Sequence, residues 1–214
     1  MIRGQTPNGC GWAHRLGVCP LILLALFLAA CGPKVKLPKL EAGATVLAFG
    51  DSLTFGTGAR TAESYPAVLE RLTGLKVVNA GVPGEVSADG LARLPEAIDE
   101  VKPALIILCH GGNDFLQRKD EGTAAANVRA MVQLAKSRGI PVVLLATPKP
   151  GIPPGVPKFY GEIGEQEHIP VEDHVLASVL IDNRLKSDLV HPNAKGYAEV
   201  ADTLQKLLKK SGAL

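Results

Sequence analysis

The chain has 214 residues, with 23 Lys and Arg against 21 Asp and Glu, 46% hydrophobic residues, 4% aromatic residues and four cysteines. The length suits one domain of ordinary size, and the hydrophobic fraction with nearly balanced charge excludes an intrinsically disordered chain. A formal charge of +2 falls short of the basic balance or Lys/Arg clustering that nucleic-acid binding requires.

The first element is an export segment. Leu16–Ala30 (LGVCPLILLALFLAA) is almost unbroken apolar sequence, preceded by Arg3, His14 and Arg15 and by no acidic residue. A short positive region, an apolar run and then small residues form a secretory signal peptide. The run is shorter than the ~18 residues of a membrane span and contains Pro20. Leu28-Ala29-Ala30-Cys31 resembles the lipobox of bacterial lipoproteins, which implies cleavage after residue 30 and a diacylglycerol thioether on Cys31. Gly32 in place of Asp implies no inner-membrane retention, so the expected location is the cell envelope, periplasmic face, outer membrane before inner. Residues 31–43 then read as the lipidated cysteine and a Pro- and Lys-containing tether. Residues 44–214 read as the folded domain. Removing residues 1–30 leaves 184 residues in which 21 basic residues face 21 acidic ones. Cys10 and Cys19 leave as well, so with Cys31 lipidated only Cys109 remains a thiol and no internal disulfide is available.

In the remaining chain, short apolar runs alternate with helical patterns. Thr45–Phe49, Lys76–Val78, Ala104–Leu108 and Pro141–Ala146 are rich in Val, Ile and Leu and show little polar alternation, as strands buried on both faces do. A fifth strand is expected near Ile169–Val171. Helices are expected from Ser64-Tyr65-Pro66 to Thr73 before Gly74, over Thr123–Arg138 before Gly139, and over Asn193–Lys210. The pattern predicts one doubly wound domain, a three-layer α/β/α sandwich on a parallel sheet of about five strands. In such sheets ligands sit beyond the carboxyl ends of the strands.

Four segments occupy those ends: Gly50-Asp51-Ser52-Leu53, Asn79 to Gly84, Gly111-Gly112-Asn113-Asp114, and Asp188 to His191 before the last helix. Each alone reads first as a turn or a helix cap. Together they contain every part of acyl transfer: a hydroxyl nucleophile, a base, an acid to orient the base, and donors for an oxyanion. In this order the segments resemble those of GDSL-type SGNH hydrolases, close to the bacterial thioesterase I/lysophospholipase/arylesterase group, over nearly all of residues 45–210. The resemblance implies a flavodoxin-like fold and a serine esterase acting on a small acyl ester or thioester. It implies Ser52 as nucleophile, Asp188 and His191 as the D-x-x-H pair, and the Ser52 and Gly84 N–H groups with the Asn113 amide as the oxyanion hole. No cofactor or metal is called for, no nucleic-acid partner is expected, and the membrane enters through the lipid anchor. The sequence defines no oligomeric state and is compatible with a monomer.

The second segment departs from the group, which usually has Ser before the glycine and Asp-Thr-Ser after it; here Pro83 precedes Gly84 and Glu85-Val86-Ser87 follows. A backbone donor survives this change if the turn does. Cys109 beside His110 reads as a small buried hydrophobe rather than a thiol nucleophile. His168 and His174, among Glu165, Glu167, Glu172 and Asp173, show no metal-ligand spacing. Asp51 and Asp114 read as loop organisers. The Pro-rich Thr147–Tyr160 loop is expected to form a pocket wall, with Leu53, Ile152, Val156 and Phe159 as acyl contacts. Two other functions stay open: carbohydrate O-deacetylation in the envelope, weakened by the scarcity of aromatics, and acyl binding without catalysis, weakened by the intact residue set.

Overall fold

The computed structural model describes residues 35–214 together with Met1. The export segment and Cys31 therefore lie outside the described residues. Five parallel strands form one sheet in the order β2-β1-β3-β4-β5. They are β1 Thr45–Gly50, β2 Lys76–Gly81, β3 Leu105–Cys109, β4 Val142–Leu145 and β5 Val171–Glu172. The fifth strand is only two residues long and lies slightly beyond the expected Ile169–Val171, pairing Leu144 with Val171 and Leu145 with Glu172. Every residue of β3 and β4 is buried, which is why those strands read as continuous apolar runs.

Successive side chains of the central strands separate into two cores, as the two-residue period of a strand dictates. Val46, Ala48, Leu105, Ile107, Val143 and Leu145 pack against one helical layer. That layer consists of α2 Tyr65–Thr73, α7 Val175–Ile181 and α8 Ala194–Ser211. Leu47, Phe49, Ile106, Leu108, Val142 and Leu144 pack against the other, formed by α3 Ser87–Val101, α5 Glu121–Ser137 and α6 Phe159–Glu167. Burying a large aliphatic side chain contributes about 1.5–3 kcal/mol, so positions such as Leu204 and Met131, at 0% exposure, hold the layers to the sheet.

Helices α2, α5 and α8 fall within about two residues of the predicted bounds. Helix α3 is additional. Gly90 and Pro95 interrupt its pattern, yet Gly90, Leu94, Ala97 and Ile98 make one buried stripe at helical spacing. Helices α6 and α7 and the one-turn helices α1 Ser52–Phe55 and α4 Gly112–Leu116 are also additional. Of the stretch read as a tether, residues 37–40 run along the end of α8: the Leu37 and Leu40 N–H groups each donate at 2.9 Å, to Ser211 O and Ala213 O. Leu40 joins the core.

Candidate active site

Ser52 opens α1 directly after β1. Asp51 caps that turn, its carboxylate accepting the Leu53 N–H at 3.0 Å. Asp51 is 1% exposed, and burial raises its carboxyl pKa despite the nearby His110 and His191. The His191 ring stands between two partners. Its Nε2 is 3.0 Å from Ser52 Oγ and its Nδ1 is 2.8 Å from Asp188 Oδ2. The other Asp188 oxygen accepts the backbone N–H groups of Val190 and His191 at 2.8 Å each. Although burial opposes it, these hydrogen bonds lower the Asp188 pKa. Nδ1 must then carry a proton toward the carboxylate, leaving Nε2 free to accept the Ser52 proton.

Asn193 sets the register of this loop. Its side-chain oxygen caps α8 through the Lys195 and Gly196 N–H groups at 3.0 and 3.1 Å. Its amide donates to Arg184 O and Lys186 O at 2.9 and 3.2 Å. Tyr197 on α8 donates to Thr57 O at 2.8 Å, tying the helix behind His191 to the turn behind Ser52.

The altered second segment forms a closed turn. The Glu85 N–H donates to Val82 O at 3.2 Å, with Pro83 and Gly84 as its central residues. Pro presets the first central position, and Gly84 takes the positive φ of 82° that the second demands. In such a turn the Gly84 N–H makes no internal bond, and Gly84 is exposed. The turn is anchored before and after: the Val82 N–H donates to Gly50 O at 3.0 Å, and Glu85 O accepts the Asn113 amide at 3.0 Å. The Asn113 amide also contacts Asp51 Oδ2 at 3.3 Å. Asp114 accepts from the Ser87 N–H and hydroxyl, both at 2.8 Å. Against the cost of burial, hydrogen bonds from Arg93 and His110 hold the Glu85 pKa at about 2.

Ser52, Asn113 and His191 border a cleft of about 650 Å³. Its remaining wall is largely apolar, with Leu53, Leu116, Ile152, Leu180 and Leu189 among its residues. Of the expected acyl contacts, Leu53 and Ile152 line this cleft. Val156 and Phe159 do not. Val156 packs at the edge of the core, and Phe159 stacks on Tyr160 with ring centroids 4.1 Å apart. Phe159 begins α6, whose burial stripe turns it into the core.

The sequence matches the GDSL-like lipase/acylhydrolase family over residues 48–199. The chain belongs to that family. It is 31% identical to esterase TesA of Pseudomonas aeruginosa over 198 residues, spanning 86% of this chain and 98% of that one. It is 26% identical to an arylesterase of Vibrio mimicus over 202 residues, 88% of this chain and 98% of that one. A crystal structure of TesA superposes with a TM-score of 0.70 at 30% identity, covering 77% of this chain and 98% of that chain. The chain is a carboxylic ester hydrolase of the GDSL/SGNH type.

Within this family fold the other candidates lie away from the cleft. Cys109 is fully buried on the α2/α8 side of the sheet, where burial raises its thiol pKa well above the ordinary value. His168 caps α6. His174 is exposed and faces Asp173 at 3.1 Å. Among the described residues no three His, Cys, Asp or Glu side chains are grouped so as to hold a metal ion. Several apolar contributors escaped sequence reasoning, among them Leu116, Leu180, Ile181 and Leu189 of the cleft wall. Leu189 is 85% exposed within the DLVH segment, and an apolar residue beside the Asp188 and His191 pair was its available signal in the sequence.

Proposed function

We propose that the protein is a serine esterase for acyl esters or thioesters with apolar acyl chains, working through an acyl-enzyme on Ser52. The continuous Ser52–His191–Asp188 hydrogen-bond chain, opening on an apolar cleft, carries the reading. His191 Nε2 takes the Ser52 proton as Oγ attacks the ester carbonyl, and Asp188 steadies the resulting imidazolium. The carbonyl oxygen, now an alkoxide, accepts from the Ser52 and Gly84 N–H groups and from the Asn113 amide, replacing the long contact to Asp51. Collapse breaks the bond to the alcohol, which leaves with the His191 proton. Water, deprotonated by His191, then attacks the acyl group and releases the acid and Ser52 Oγ–H.

Hydrolysis of nitrophenyl esters from acetate to palmitate tests this reading. Activity rising from acetate to medium or long chains, and lost by about 10⁵-fold or more in Ser52→Ala, is the expected outcome. Acetate-only activity favours the deacetylase, and no turnover favours an acyl-binding protein. Wild-type turnover by Ser52→Ala refutes the nucleophile assignment. The Leu28–Cys31 segment supports a second proposal, export and lipidation at Cys31. Labelled fatty acid incorporated by wild type and not by Cys31→Ser is the expected result.

A further inference from the structure

Beneath the Pro83–Gly84 turn lies a buried charged cluster that the acyl-transfer chemistry does not itself use. Glu85 Oε1 accepts Arg93 Nε at 2.8 Å. Oε2 accepts Arg93 Nη2 at 2.7 Å and faces His110 Nε2 at 3.0 Å. An ionised carboxylate only accepts, so Nε2 carries the proton of that bond. The Glu85 side chain is 7% exposed and that of His110 0%. Among the described residues His110 Nδ1 is buried without a partner, and Glu85 is the ring's one hydrogen-bonding contact. Arg93 lies over the Phe49 ring, 4.1 Å from its centroid, and also donates to Ala80 O at 3.1 Å. Helix α3 makes room for the ring: a Cβ on Gly90 would collide with His110 Nε2.

Replacing a buried ion cluster with apolar side chains often leaves stability unchanged or raises it, so stability is a weak reason for this one. Its position supplies a stronger one. The same residue whose carboxylate is fixed by Arg93 and His110 presents its carbonyl to the Asn113 amide at 3.0 Å and its N–H to Val82 O. Ser87, two residues later, is fixed by Asp114, the neighbour of Asn113. Fixing Glu85 at its side chain therefore fixes the Gly84 turn and the orientation of the Asn113 amide together. Oxyanion stabilisation depends on donors that need not reorganise during the reaction.

We propose that Glu85 is a positioning residue: clamped by Arg93 and His110, it aligns the Gly84 N–H and the Asn113 amide toward the developing oxyanion. This rests on the assignment of those two groups to the oxyanion hole.

A double-mutant cycle on nitrophenyl butyrate tests it, with Glu85→Gln, Asn113→Ala and the double variant compared at pH 8. Gln keeps the shape but offers one acceptor oxygen, and its amide opposes a donor of Arg93 or His110. Glu85→Gln is expected to lower kcat about tenfold with KM within about twofold, and to cost clearly less, about threefold, when Asn113 is already Ala, the remainder being the misaligned Gly84 N–H. An unchanged kcat in Glu85→Gln, or an equal loss in both backgrounds, overturns the proposal. If Glu85→Gln does not fold, Arg93→Gln on the partly exposed arginine runs the same cycle with the same criteria. If Asn113→Ala alone keeps wild-type kcat, the oxyanion assignment itself fails and this proposal with it. Loss in Asn113→Ala with additive loss in Glu85→Gln removes the positioning role alone.

Discussion

The Val82–Ser87 segment and the Lys186–Pro192 segment serve the same reaction centre and are held in opposite ways. The first is fixed by charges out of water: Glu85 by Arg93 and His110, and Ser87 by Asp114, which is 2% exposed. The second is fixed in contact with water, by backbone, a neutral amide and the half-exposed Asp188 carboxylate. Lys186 bridges Pro192, the Ser187 N–H donates to His191 O at 2.9 Å, and Asn193 spans the loop's two ends. Hydrogen bonds in a low dielectric are stronger and their loss costs more, so the segment with the buried anchors is the more rigid. The difference matches the tasks. Oxyanion donors must already be aimed when charge appears, whereas a general base hands one proton between two oxygens and tolerates small shifts.

Removing the orienting carboxylate is the strongest way to break the contrast. Where such an aspartate is buried, its change to Asn costs about 10⁴-fold in turnover. The Asp188 side chain is 53% exposed, and water softens the loss of its charge. Asp188→Asn is therefore expected to lower kcat by about 10²–10³-fold with KM little changed, measured on the ester series. A loss of 10⁴ or more would mean that the open loop behaves electrostatically like a buried one.

A milder perturbation separates support from chemistry. Asn193→Ala removes the α8 cap and both ties to the loop ends, but touches no reacting atom. Losing a cap of this kind costs about 1–2 kcal/mol, readable in urea unfolding, and kcat is expected to fall by less than about tenfold. A kcat loss as large as that of Asp188→Asn would show that the loop has no play, contrary to the contrast drawn above.

The two segments also differed in how much of them the sequence disclosed. Strand ends and the serine and asparagine positions were legible because buried strands leave uninterrupted apolar runs and the polar residues follow them closely. Asp188 and His191 lie between α7 and α8 rather than at the expected strand end, and it was the family resemblance that singled them out. Ser52, Asp188 and His191 come within hydrogen-bonding distance, and Asn113 meets the carbonyl of Glu85. Helix α3 stayed hidden because Gly90 and Pro95 carry poor helix propensity, yet Gly90 is there to admit His110. The Glu85–Arg93–His110 cluster was illegible for a related reason. Its members lie 8 and 25 positions apart, on a turn, a helix and a strand end, and no local period links them. Phe159 was misplaced because the Pro-rich loop before it suggested a surface wall, while its helix turned it inward.

The smallest effect tests whether the buried segment holds its charge through acid. The Glu85 carboxyl titrates at about 2 in the folded protein, against an ordinary 4.5. Between those values the unfolded chain binds the extra proton, so the ionised group's contribution is full above about pH 5 and declines as pH falls toward 2. Glu85→Gln has no such proton to bind. The stability gap between wild type and this variant in urea is therefore expected to narrow as pH drops from 6 to 3, by about 1 kcal/mol once screening at the edge of the turn is allowed for. The Asp188 pKa is also lowered, but that carboxylate is present in both proteins and cancels in the difference. A gap constant over this range would mean that Arg93 and His110 do not hold Glu85 ionised, and the rigidity assigned to the turn would then rest on Ser87 and Asp114 alone.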